Sequence, residues 1–407
     1  MNNFYRYFVL IVILVSSNFS IKSESWNDAG NYDISWYTKD PDIYISSPEE
    51  LAGVAYLVNN NFTDFAHQTI HLVSDIDLSG KTWIPIGHSF TFRGGFDGHG
   101  YSITGVSITN FDGIQGFFGK MSDGTICSLK LNASINTNRV KSGVLVAEAS
   151  GCTFQDLTIM GSIVYVNKTI SASTSWNTTI YNGGVVGVAA DCTFTDVISE
   201  FDQSLVFGES GGSSCFGYFS LYSGSIVGYG SSTNNFLRCE GISSFYNTVY
   251  GYNASDYYTS HGVTRIYCGG IVGSDLSSNS TFVSCLSKIK RNNGSHLTGV
   301  YDTVSFYTMG FGSLYGKIEN CVAIIDSYNI TGHDYSWVAS WYHTNTYLND
   351  CGVVATPLNI GGCYVNRDIS QFVSKVKNNE SDFLSSTSYT KEQMNTQAFV
   401  DELNIYS

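Results

Sequence analysis

Asp156 and Asp196 hold equivalent places in two nearly identical lines of sequence, GVLVAEASGCTFQDLTI (143–159) and GGVVGVAADCTFTDVIS (183–199). Carboxylates stacked on one face of neighbouring coils could act as the acid and base of glycosidic chemistry. Such a site also needs cations or further acids beside them. HGVTRIY (261–267) brings a histidine and an arginine together, and nothing acidic completes it. Aligned aspartates also serve as turn formers that hydrogen-bond the backbone. That role needs no further partner, so no catalytic residue is assigned.

Other reactive types are equally isolated. His67 and His71 have the spacing of metal ligands on a helix, yet TIHLVSDIDL (69–78) reads as a strand. Asp97 and His99 flank Gly98 beside Gly100 and read as a turn. GESGG (208–212) lacks the strand–elbow–helix setting of a serine nucleophile. There is no zincin motif and no phosphate-cradling loop. The spacing therefore points to no metal and no cofactor.

The elements that would position these residues come from a repeat. In the two aligned lines Cys152 falls on Cys192 and Phe154 on Phe194. A Gly-x-Val-Gly frame recurs before a cysteine: GFFG (116–119) before Cys127, GSIVG (224–228) before Cys239, GGIVG (269–273) before Cys285, and MGFGSLYG (309–316) before Cys321, with a last copy ending at Cys351. The marker cysteines are 25, 40, 47, 46, 36 and 30 residues apart (152−127, 192−152, 239−192, 285−239, 321−285, 351−321). A fixed core with elastic spacing marks a solenoid, and short Gly/Val/Thr-rich segments make it an all-β parallel β-helix. Strand alternation fails at Asp156 and Leu157, which predicts a turn or bulge after Phe154. The marker cysteines should form an inward column of buried thiols, whereas Cys215, Cys268 and Cys363 lie off the frame and are candidates for disulfides.

The chain has 407 residues and a net charge of −14. That charge argues against nucleic acid and anionic lipid as partners. Arg6, the apolar run Phe8–Val15 and small polar residues at Ser16 and Ser17 form a signal-peptide plan, cleaved between Ser17 and Ser25. No second long apolar run follows, so no integral membrane span is expected. Ser47 and Glu50 make a capping box with Pro48 at the first helical position, and Leu51, Val54, Ala55 and Val58 share one face. The segment should be a short N-terminal capping helix, and 364–407 should be a helical C-terminal tail. The organisation is thus a signal peptide (1–25), a cap and first coil (26–110), repeats with long loop insertions (111–363), and a terminal cap (364–407). Asn-x-Ser/Thr acceptors for N-glycosylation fall at Asn61, Asn132, Asn167, Asn177, Asn253, Asn279, Asn293, Asn329 and Asn379.

SPEELAGVAYLVN, TIHLVSDIDLSGKTWIPIG, FRGGFDGHGYSITGVSI, GFFG and the repeated GGIVG…C together resemble the GLUG-motif proteins over roughly residues 26–350. QAFVDELN (397–404) resembles their closing segment. The resemblance implies a right-handed parallel β-helix in a secreted or surface protein of bacteria or anaerobic protists, and it implies no catalytic residue. The long insertions depart from the family pattern. They span about 161–182, 200–223, 241–268, 287–308 and 327–347, and they are either loops or extra strands that widen each coil. Their aromatics, Tyr257, Tyr258, Trp337 and Trp341 among them, are candidate contacts for glycans or surface proteins. The expected function is non-catalytic binding or adhesion. The runner-up is a polysaccharide-degrading β-helix enzyme, lyase or glycoside hydrolase, and the third reading is a coat component.

Overall fold

The bulge that alternation demands is present and repeats. Asp156 and Asp196 both have φ of 54°, in the left-handed region. The same conformation recurs at Ser128, Arg238 and Ser284. Register places all five in one column, one per coil. Each flips the strand by one residue, so Cys152 and Phe154 point inward before it and Leu157 and Ile159 after it.

The computed structural model describes residues 24–109, 113–167, 176–207, 217–250, 263–277 and 279–297, with short segments between 303 and 386. Every described strand pairing is parallel, in one sheet of 17 strands and two of six. This is a parallel β-helix with three faces. Asp42, Thr69, Gly95, Thr125, Thr153, Thr193, Asn235, Thr281, Lys317 and Tyr347 follow one line down the first face. The coils therefore run from 26 residues (95−69) to 46 (281−235).

Inside, Phe154, Phe194, Phe236 and Phe282 stack at 4.9, 4.8 and 4.5 Å. The Gly-x-Val-Gly frame is the corner between the two six-stranded sheets. A Cβ on Gly183 would lie 1.8 Å from the Val186 carbonyl oxygen, and the equivalent distances are 2.0 Å at Gly143, 2.2 Å at Gly224 and 1.7 Å at Gly269. Close backbone approach, rather than positive φ, makes this column glycine.

The helix forms as its caps predict, over Pro48–Asn59. The Ser47 hydroxyl accepts from the Glu50 N–H at 3.2 Å, and the Glu50 carboxylate accepts from the Ser47 N–H at 3.1 Å. Its apolar face packs beside Trp26 and Trp83 and joins the core. Among the described residues no helix is long and apolar enough to cross a membrane.

Several expectations change. The cysteines form two columns, not one. Cys152 and Cys192 are neighbours before the bulge. Cys239, Cys285 and Cys321 are neighbours after it, in line with Val197 and Leu157. Cys127 pairs with Gln155 and is only half-buried. Cys268 is a buried free thiol, so it is not a disulfide partner; Cys215 and Cys363 lie outside the described residues. The described parts of the insertions are strands: Thr153–Asn167 and Thr193–Phe207 extend one face, and Trp176–Gly183, Gly217–Gly224, Val263–Gly269 and Thr303–Met309 form another. Ser102–Thr109 pairs with Thr125–Thr137, so the sheet runs on from the first coil into the repeats. Of the expected helical tail, the described piece, Phe383–Ser386, is a strand paired with Tyr347–Ala355.

Candidate functional site

The widened coils create a face that the sequence did not reveal as a unit. In the strand Trp176–Gly183, Ile180 and Asn182 are buried and Tyr181 points outward; Leu221, Tyr222 and Ser223 repeat that pattern. Register then aligns Tyr181, Tyr222, Tyr267, Tyr307 and Trp337 in one column over five coils. Tyr181 and Tyr222 stack at 5.9 Å, and Tyr222 and Tyr267 at 4.7 Å. Tyr229 reaches the column from across the corner, 4.9 Å from Tyr181 and 5.7 Å from Tyr222. Burial pushes the Tyr181 and Tyr229 phenols upward, so both remain neutral donors. The stacked rings cover one another's faces. What Tyr181, Tyr222 and Tyr267 offer outward is a row of edges and hydroxyls, one set per coil, on rungs that repeat at about 4.8 Å.

A second cluster lies on the first face near the N-terminus. Tyr44, His71, Asp97 and Cys127 are successive rungs of one column. His99 follows Asp97 in the predicted turn: its N–H donates to Asp97 Oδ1 at 2.9 Å, and its φ is 48°. That turn folds the His99 ring back over the strands, where it lies 5.0 Å from the His71 ring. Tyr44 covers the other side of His71, also at 5.0 Å. His71 Nδ1 is 2.9 Å from His99 Nε2, and His71 Nε2 is 3.0 Å from Asp42 Oδ1. Among the described residues, His71, Asp97 and His99 form the one group of three that could hold a metal ion. His67, the helix-spacing partner, is not in it.

The two aligned carboxylates weighed for glycosidic chemistry are otherwise occupied. Asp196 takes a bidentate ion pair from Arg238, at 2.6 and 2.7 Å, which holds its carboxyl below the usual range. Asp156 accepts from the Ser128 hydroxyl at 3.3 Å. Both occupy the left-handed bulge column, so the turn-forming role accounts for their alignment. A general acid needs the opposite shift from the one Asp196 has.

Of the candidate contacts, Trp337 lies in the aromatic column by its backbone, while Tyr257, Tyr258 and Trp341 lie outside the described residues. Asn61, Asn132 and Asn279 are exposed, and Asn167 and Asn293 are half-buried. Asn177 and Asn329 lie in strands; Asn253 and Asn379 are outside the described residues. Glu24 and Ser25, placed in the leader by the sequence, belong to the fold: the Glu24 carbonyl accepts from Thr82 N–H at 2.9 Å, and Ser25 bridges to Thr82.

No family model matches the chain, and no curated protein matches it. A solved structure, "IgA1 Protease", aligns with a TM-score of 0.46 at 11% identity, covering 89% of this chain and 24% of that one. This chain thus spans about a quarter of the IgA1 protease chain.

Proposed function

We propose that this chain is a secreted or cell-surface glycoprotein of the GLUG type that binds extended glycans or surface proteins along the side of its β-helix, without catalysis. The observation that carries the reading is the outward stack of Tyr181, Tyr222 and Tyr267, whose backbone register continues to Tyr307 and Trp337. Its repeat of about 4.8 Å gives roughly one pyranose unit per rung. A polymer lying along the column would meet the same edge and hydroxyl at each tyrosine step, so weak contacts would add along its length. A rigid shaft loses little conformational entropy on binding.

The Arg6–Val15 leader supports export, and the exposed acceptors Asn61, Asn132 and Asn279 support glycosylation. Cleavage that preserves the pairing of Glu24 and Ser25 with Thr82 falls before Glu24. Tyr257, Tyr258 and Trp341 would extend the contact surface.

The test compares wild type with the double variant Tyr222→Phe/Tyr267→Phe, which keeps the stack and removes two hydroxyls. Glycan arrays and affinity electrophoresis in polysaccharide gels read the binding. The expected result is glycan or cell-surface binding by wild type, weakened roughly tenfold in the variant, with unchanged melting temperature. Absence of binding by wild type, or equal binding by both proteins, would refute the proposal.

A further inference from the structure

We propose that His71, Asp97 and His99 bind a divalent first-row transition metal, zinc in the first instance, on the side of the first coils. The donor atoms are His71 Nδ1, His99 Nε2 and Asp97 Oδ2. They lie 2.9 Å (His71–His99), 3.8 Å (His71–Asp97) and 3.6 Å (His99–Asp97) apart. A triangle with these sides has a point about 2.0 Å from all three corners, which is the zinc–nitrogen and zinc–oxygen bond length. An ion there would take the place of the proton between the two rings.

The surrounding contacts prepare each donor. His71 Nε2 faces Asp42 Oδ1 at 3.0 Å, which places that ring's proton on Nε2 and leaves Nδ1 with a lone pair on the side of His99. A carboxylate behind a ligating histidine is the usual outer partner in zinc sites. Asp97 Oδ1 is engaged by the His99 N–H, so Oδ2 is the oxygen turned toward the rings. Cys127 is the next rung of the column beside Asp97. In the absence of metal, the His99 Nε2–H donates to His71 Nδ1. On binding, His99 carries its proton on Nδ1 instead, and the freed Nε2 lone pair meets the ion. The tautomer change needs no net proton release.

Two imidazoles and one carboxylate suit zinc, and also copper, nickel or ferrous iron, better than calcium or magnesium. An ion at that point lies in the plane of its three protein ligands, which leaves the space above or below that plane for water or for a donor group on another molecule. The side chain of His99 is 47% exposed, so that position is reachable from solvent. The site stands apart from the aromatic column, on a different sheet, and does not depend on the glycan reading.

The test titrates Zn²⁺ into the whole protein, after chelator treatment under reducing conditions, by calorimetry and by competition with a chromophoric chelator. Wild type should bind one equivalent and melt at higher temperature with the ion than without it. His99→Asn, at an exposed position, should bind roughly a hundredfold more weakly and lose the metal-induced rise in melting temperature. Asp42→Asn, which removes a positioning contact only, should weaken binding by about tenfold or more. His67→Ala should behave as wild type. Co²⁺ bound to wild type should show the visible bands of a low-coordinate nitrogen/oxygen site, absent in His99→Asn. Lack of saturable binding by wild type at about 100 µM Zn²⁺, or a His99→Asn variant that binds as tightly as wild type, would overturn the assignment.

Discussion

Phe194 and Phe236 face each other across one coil step, with ring centroids 4.8 Å apart and planes 4° apart. Phe194 has a like neighbour on its other side, Phe154 at 4.9 Å. A truncation here opens a cavity bounded by two coils, and stacked parallel rungs cannot close on it. Phe194→Ala should cost about 3–5 kcal/mol, measured by denaturant unfolding. Phe194→Leu, which fills most of the volume, should cost about 1–2 kcal/mol. Equal losses for the two variants would mean that the ring stack is not a close-packed column.

The corner glycines give a sharper steric prediction. The nearest atoms to a Cβ on Gly183 are the Val186 carbonyl oxygen at 1.8 Å and carbonyl carbon at 2.4 Å, neither of which can swing aside. Gly183→Ala should therefore cost about 3 kcal/mol or more. Gly100→Ala is the comparison: φ is +80° there but nothing lies within 4 Å, so only local backbone strain of about 1 kcal/mol applies. A Gly183→Ala protein as stable as wild type would show that the corner can relax.

The parts of this fold that follow from local chemistry were legible in the sequence. The Ser47–Glu50 box, the inward Phe154 and Phe194, the glycine corners and the bulge at Asp156 all reflect constraints acting within a few residues. Column membership was harder to read. The inward positions on either side of the bulge accept the same small apolar side chains, so cysteine marks Cys192 before it and Cys239 after it, and the two look equivalent in sequence. The candidate sites were harder still. His71 and His99 are 28 residues apart (99−71), and Tyr222 and Tyr267 are 45 apart (267−222), because each pair spans a coil. Coil length varies with every insertion, so no fixed spacing reveals which side chains become neighbours.

The two cysteine columns predict thiol behaviour. Cys152 and burial together push the Cys192 thiol upward, burial pushes Cys268 up to about 12, and burial with Asp97 pushes Cys127 up to about 11. Thiolate is the reactive form, so these groups should react slowly in the native protein at neutral pH. After denaturation without reductant, the seven cysteines described as free thiols should all titrate with a thiol reagent. A count of four or fewer would mean that the columns hold disulfides.

Asp275 sets the last expectation, a pH dependence of stability. It lies fully buried at the end of the strand Val272–Asp275. It accepts from the Ser277 N–H at 2.9 Å, from the Ser280 hydroxyl at 3.0 Å and from Asn234 Nδ2 at 3.3 Å. Those bonds favour the charged form, but desolvation outweighs them and pushes the carboxyl up from 3.8 to about 6. The folded protein therefore holds this proton more tightly than the unfolded chain does. The resulting stabilisation is fully present below about pH 4 and is lost as pH rises through about 6; two pKa units correspond to about 3 kcal/mol at most. His88 acts in the opposite sense over the upper part of this window, because burial and then Lys120 lower its pKa, so the folded state loses stability as pH falls there. Comparison with Asp275→Asn separates the two, since His88 is common to both proteins. Melting temperatures should be read at steps between about pH 4 and pH 8. The amide cannot ionise, so the advantage of the variant over wild type should grow as pH rises from about 4 to 6 and then level off. Parallel curves for the two proteins across that range would show that Asp275 titrates as an ordinary carboxyl and that its burial carries no proton linkage.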